Sequence, residues 1–225
     1  MADGFEALIG EANAFFAELK KNNSKDWFEP RKGHYTDRIK KPAELLADVM
    51  GDELGRITGS SFKPKLFRIY RDVRFSKDKT PYNTHLHLSW FPPEGEARPG
   101  WFFGSAPDYL LLGCGVPGLK GADLTQFRAA IDRDGAALQA SLTEAGRTCG
   151  AELSGWGAEP LKRVPKPYDE GHPSAELLKR KSLVLHADLP QDWAKAGLIA
   201  ALRARAEAML PVWRWLDEAM RTAMV

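Results

Sequence analysis

The apolar residues of this chain change their period in the middle. From Phe67 to Cys114 they mostly fall on alternate positions; before and after that stretch they recur every three or four. Alternation sends successive side chains to opposite faces of a strand, whereas steps of three and four stack on one face of a helix. Strands therefore cluster between helices instead of alternating with them. That order predicts an α+β fold, with an antiparallel sheet meander packed against N- and C-terminal helices.

The flanks support this. Phe5, Leu8, Ile9, Ala12, Phe15, Phe16 and Leu19 make an amphipathic stripe that runs to Lys20 and Lys21, where cations suit the negative helix end. Trp27 and Phe28 read as a buried plug. A second helix follows Pro30, with a kink or restart at Pro42. Helices return around Leu124 to Leu142, with Asp123 and Asp134 as candidate N-caps. The stripe Ile199, Leu202, Ala206, Met209, Trp213, Leu216 and Met220 predicts a C-terminal helix packed on its own domain.

Four central strands are expected, over Phe67–Phe75, Thr84–Trp90, Gly100–Ser105 and Tyr109–Cys114. A last strand is expected over Ser182–Asp188, and the Gly- and Pro-rich stretch 150–173 is expected to be mostly loop. At 225 residues the chain is long enough to bury a sizeable core, and residues 5–220 read as one domain. No apolar run approaches the roughly 20 residues of a membrane helix. Two cysteines, Cys114 and Cys149, are too few for a disulfide framework. The start MADGFEALIG lacks the basic and apolar regions of a secretory leader, so a soluble cytoplasmic protein with no membrane association is expected.

Charge is unevenly placed. Residues 61–82 hold seven cations and two acids, a net +5 in a chain whose net charge is +2. On the expected strand, Arg71 shares a face with Phe67, Ile69, Val73 and Phe75. A guanidinium there needs a carboxylate or a bound anion, because an unpaired buried charge is very costly. Arg68, Tyr70, Asp72 and Arg74 fall on the opposite face. Arginine's planar fork suits phosphate and carboxylate groups. The candidate ligand-binding residues are accordingly Arg68, Arg71, Arg74, Lys79, Tyr82 and His85, with Asp72 and His85 as weak candidates for base and orienter.

The segment RIYRDVRFSKDKTPYNTH, residues 68–85, resembles the central signature of the bacterial and fungal "domain of unknown function 2461" family. FFAELKKNNSKDWFEPRKGHY, LKRVPKPYDEGHPSAELLKRKS and PVWRWLDEAM fit the same family in order. The resemblance implies an α+β domain of about this size and no particular activity. Arg68, Tyr70, Arg71, Asp72, Arg74, Phe75, Ser76, Lys79, Thr80, Pro81, Tyr82, Thr84 and His85 match its central motif. Lys162, Arg163, Pro165, His172, Pro173 and Lys181 match a second basic stretch. His87 departs from the pattern, where a small or apolar residue is usual.

His85 and His87 form a His-x-His pair on one strand face, but two ligands are not a metal site and none is expected. No Walker, dinucleotide or nucleophile-elbow motif is present, and no cofactor is implied. Three readings stay open. One is a binding module for an anionic small molecule or, without a supporting motif, a nucleic-acid backbone. Another is a hydrolase or transferase acting on a phosphorylated substrate. The third is a structural or partner-binding domain whose charges pair internally. Oligomeric state is not legible.

Overall fold

The helical flanks and the central strands meet in a computed structural model that describes residues 3–93 and 98–221. Helix α1 (Glu6–Lys21) buries the predicted stripe, with Leu8, Ile9, Ala12, Phe15, Phe16 and Leu19 inside. Lys25 to Lys40 is a chain of short turns: α2 (Lys25–Phe28), a 3-10 turn, α3 (Lys32–His34) and a π-helical turn (Tyr35–Lys40). Pro42 then sits in the first turn of α4 (Lys41–Thr58), directly after the π-helical turn. Phe28 is fully buried, as the plug reading requires.

Among the described residues, six strands form one antiparallel sheet: β1 (Lys63–Leu66), β2 (Leu86–Phe91), β3 (Gly100–Ala106), β4 (Tyr109–Val116), β5 (Glu152–Leu153) and β6 (Leu183–Asp188). Their spatial order is β1-β2-β3-β4-β6-β5. The α+β expectation holds. Long α5 (Gly121–Cys149), short α6 (Ala175–Leu178) and α7 (Leu198–Arg221) complete the chain. Among the described residues no helix is long and apolar enough to cross a membrane.

One face of the sheet carries Leu86, Leu88, Trp90, Trp101, Phe103, Leu112, Cys114 and Leu185, all buried in the core with the helices. Trp90, Trp101 and Trp213 are the largest fully buried side chains. Each removes on the order of 200 Å2 from water, worth about 5 kcal/mol. Their N–H groups fix their placement where partners exist: Trp90 donates to the carbonyl of Ala47 at 2.7 Å and Trp213 to that of Pro99 at 3.1 Å. Trp213 and Leu216 are buried, so the C-terminal stripe packs on its own chain.

Two local expectations need correction. The first strand lies at Lys63–Leu66, and Phe67–Phe75 is not a strand. Tyr70 bridges Tyr82, with Arg71 N–H bonded to Pro81 and Asn83 N–H to Ile69. The ladder stops there, because Pro81 has no N–H to donate. Phe75 is 96% exposed, so the alternation through it was not a buried face. Asp123 and Asp134 are not N-caps: Lys120 occupies that place in α5, and Asp134 lies at a kink inside the helix. The stretch 150–173 is mostly loop, as expected, with the two-residue β5 inside it.

Candidate functional site

The second face of the sheet has a different character. Period-two alternation puts His87 on β2 and Gly104 on β3 side by side in register, and Gly113 on β4 beside His186 on β6. Gly104 in turn pairs with Leu111. Phe67 continues from β1, its N–H bonded to the carbonyl of His87 at 3.0 Å. The chain after β5 brings Ser154 and Trp156 over this face. Together these residues line a cavity of about 430 Å3, with His85, Phe102, Tyr109 and Val184 in its walls. A concave, mostly apolar space with a few converging polar groups is the usual form of a small-molecule site.

The polar groups are ordered. The rings of His85 and His87 stack with centroids 3.8 Å apart and planes 23° from parallel. Nε2 of His87 and the hydroxyl of Tyr109 are 2.7 Å apart, a hydrogen bond that either partner donates according to the imidazole tautomer. Gly104 leaves the room for this pair. A Cβ there would lie 3.0 Å from the Tyr109 ring and 3.4 Å from that of His87. Nδ1 of His186 is buried with no hydrogen-bond partner among the described residues. Among the described residues no group of three or more His, Cys, Asp or Glu is placed to hold a metal ion.

Burial sets the protonation. It pushes the His87 imidazole down to about 4, helped by neighbouring His85, whose own value burial also lowers. Burial, then Asp108, raises the Tyr109 phenol. At neutral pH the wall therefore holds two neutral imidazoles and a protonated phenol.

This gives a pH prediction. The unfolded chain protonates His87 near 6.5, the folded chain only near 4. The stability tied to neutral His87 is complete above pH 6.5 and is lost as pH falls toward 4. Allowing for residual exposure, the loss is on the order of 2–3 kcal/mol. His87→Gln is expected to remove this loss, so that urea midpoints of variant and wild type draw together or cross on acidification. Parallel decline of the two would place His87 in solvent.

The arginine-rich segment lies apart from these walls, except through Phe67 and His85. Arg71 Nη1 pairs with Asp78 at 2.6 Å and donates to the Thr80 carbonyl at 3.0 Å and to the Thr80 hydroxyl. Its side chain is 25% exposed. Arg74 grips Asp72 through Nε and Nη2 at 3.0 and 2.7 Å, and these bonds hold the Asp72 carboxyl below the usual range. The Asp78 carboxyl is lowered by the Thr80 N–H, then by Arg71. Lys79 donates to the carbonyl of Val73 at 3.0 Å. Arg68 is exposed, and its carbonyl accepts from Asn83 at 3.0 Å. Tyr82 is buried, stacked on Phe28 at 4.3 Å with its backbone clasped by Asn23. Asp72 and His85 share no hydrogen bond among the described residues, and only His85 of the candidate residues lines the cavity.

The second basic stretch is anchored elsewhere, beside α5 and the β4–β6 side of the sheet. Lys181 accepts from Leu119 N–H, Leu178 accepts from Arg128, and Lys179 pairs with Glu176 at 2.6 Å. Tyr109, His186, Gly104 and Trp156 were not singled out from sequence. The usable signal was the phase of His85 and His87, but only the strand register shows which distant residues share it.

A family model described as "Conserved hypothetical protein (DUF2461)" matches residues 11–215. No curated protein matches the chain.

Proposed function

The chain belongs to the DUF2461 family of conserved hypothetical proteins, and on that premise we propose that it binds a small molecule in the cavity on the outer face of its sheet. The observation that carries this reading is the Tyr109–His87 hydrogen bond at 2.7 Å, set over Gly104 inside an aromatic-walled space of about 430 Å3. A pair of this kind grips a donor or acceptor on a ligand whose remaining surface the aromatic walls cover.

Ligand-observed NMR with a set of small polar aromatic and aliphatic fragments tests it. Leu111 is partly exposed in the wall, so Leu111→Trp fills the cavity from a tolerant position. Hits on the wild type are expected to vanish in Leu111→Trp. At ten times its Kd a hit should stabilise the wild type by about 1.4 kcal/mol. Hits that survive the plug would place binding elsewhere.

A second reading, an anion on the 68–80 loop, is favoured by Arg68 and Lys77. These two cations form no hydrogen bond from their side chains and no salt bridge among the described residues. Sulfate should then raise the Tm, less so with added neutral salt, and Arg68→Ala with Lys77→Ala should remove the rise. A full response in that double variant would put the anion elsewhere.

A further inference from the structure

We infer that the molecule bound on the outer face is a flat heteroaromatic ring of the nucleobase class, held by stacking and read along its hydrogen-bonding edge by neutral side chains. The inference rests on the cavity reading above and names the ligand for it.

Shape is the first ground. The floor is sheet backbone at Gly104 and Gly113, where a side chain would stand upright. The walls are mostly rings. Phe67 meets His87 edge-on at 6.2 Å, and Trp156 meets Phe102 edge-on at 4.5 Å. The face-to-face imidazole pair is a stack of two that a third ring can extend. A flat floor between ring walls fits a planar guest better than a puckered one, because dispersion falls off steeply with each added fraction of an ångström.

Trp156 is the second ground. It stands 48% exposed, with a glycine on either side, and Gly157 holds φ at 106°. Its backbone N–H donates to the Ser154 hydroxyl at 3.0 Å, which fixes this turn beside the cavity. A half-exposed indole at a pocket mouth forgoes burial that a stacked base would restore. Stacking of a base on an aromatic side chain is worth about 1–3 kcal/mol.

Polarity is the third. Neutral imidazole carries one donor and one acceptor, and a phenol carries both. His87 and Tyr109 thus present donors and acceptors without net charge, and the His186 ring nitrogen Nδ1 is buried without a partner among the described residues. Purine and pyrimidine edges interleave the same two functions. An anionic head group in the same place would be desolvated with no cation against it. Lys65 Nζ lies 5.5 Å from the ring centroid of Phe67 in the wall, a cation that a ribose phosphate on the bound base could reach.

Calorimetric titration with adenosine, uridine, AMP and cyclohexanecarboxamide decides it. Adenosine or uridine is expected to bind at least about tenfold tighter than the saturated amide, a difference of about one hydrogen bond or one stacking contact. Trp156→Ala, at a half-exposed position, should weaken the nucleoside about tenfold or more. His186→Leu should weaken the nucleoside and spare the saturated amide. Tighter AMP binding that is lost in Lys65→Ala would identify the nucleotide as the form taken. If cyclohexanecarboxamide binds as well as the nucleosides, the heteroaromatic inference falls while the cavity reading stands. If neither nucleoside nor AMP binds, the inference also falls, and the fragment experiment alone then judges the cavity.

Discussion

Asp217→Ala is expected to cost about 3–5 kcal/mol, among the largest losses any single replacement in this chain should produce. Asp217 is buried on α7, and it receives Nε of Arg98 at 2.5 Å and Nε of Arg221 at 3.0 Å. Arg98 is itself only 12% exposed and reaches Ser60 with Nη2 at 2.9 Å. One carboxylate thus ties the C-terminal helix to the residues leading into β3 and to the link between α4 and β1. Removing it leaves a guanidinium in a site built for a pair. Replacing Asp217 and Arg98 by apolar side chains of similar size strands no buried charge, since Arg221 is 57% exposed, so Arg98→Met with Asp217→Leu should recover much of the loss. Urea denaturation measures both. A single variant within about 1 kcal/mol of wild type would mean that the ion pair does not hold these three segments.

Gly115→Ala is expected to be nearly as damaging, at about 3 kcal/mol or more. Gly115 has φ at 140°, a backbone that L side chains rarely adopt. A Cβ there would sit 2.0 Å from the carbonyl oxygen of Leu183 and 2.8 Å from the Cα of Val184. Both obstacles are backbone of β6, which pairs with β4 at this point. The strands must part or the turn of the backbone must change. Val184 and His186 lie on the strand that would move, so ligand binding should fail together with stability. A variant that keeps its denaturation midpoint would show that β4 and β6 do not approach this closely.

Those two positions illustrate what the sequence could and could not disclose. Helices α1 and α7 and strands β2, β3, β4 and β6 were legible because each buries one face, and burial writes a period into the residues. Phe67–Phe75 shows the same alternation without the burial. Its polar residues bond to one another, Arg71 to Asp78 and Arg74 to Asp72, and form a loop that needs no strand partner. Composition alone cannot separate a charged edge strand from such a loop.

The candidate site divides in the same way. His85 stood out because it pairs with His87 as His-x-His in an expected strand, although β2 begins only at Leu86, and His87 because it departs from the family pattern. Tyr109 and His186 join them only through register, across 22 and 99 residues of chain from His87. Glycines in a sequence first suggest turns. Gly104 and Gly113 are instead places where a sheet face is left bare, and only their neighbours across the strands reveal it.

The proposed ligand site is the cavity over Gly104, between the His85–His87 stack and Trp156. The most direct test is a crystal of the full chain soaked with the fragment set used in solution. Density for an aromatic fragment is expected in that cavity, within hydrogen-bonding distance of the Tyr109 hydroxyl or of a His87 or His186 ring nitrogen. Fragments gathered on the 68–80 loop or on the helical side, with the outer face bare at saturating concentration, would contradict it.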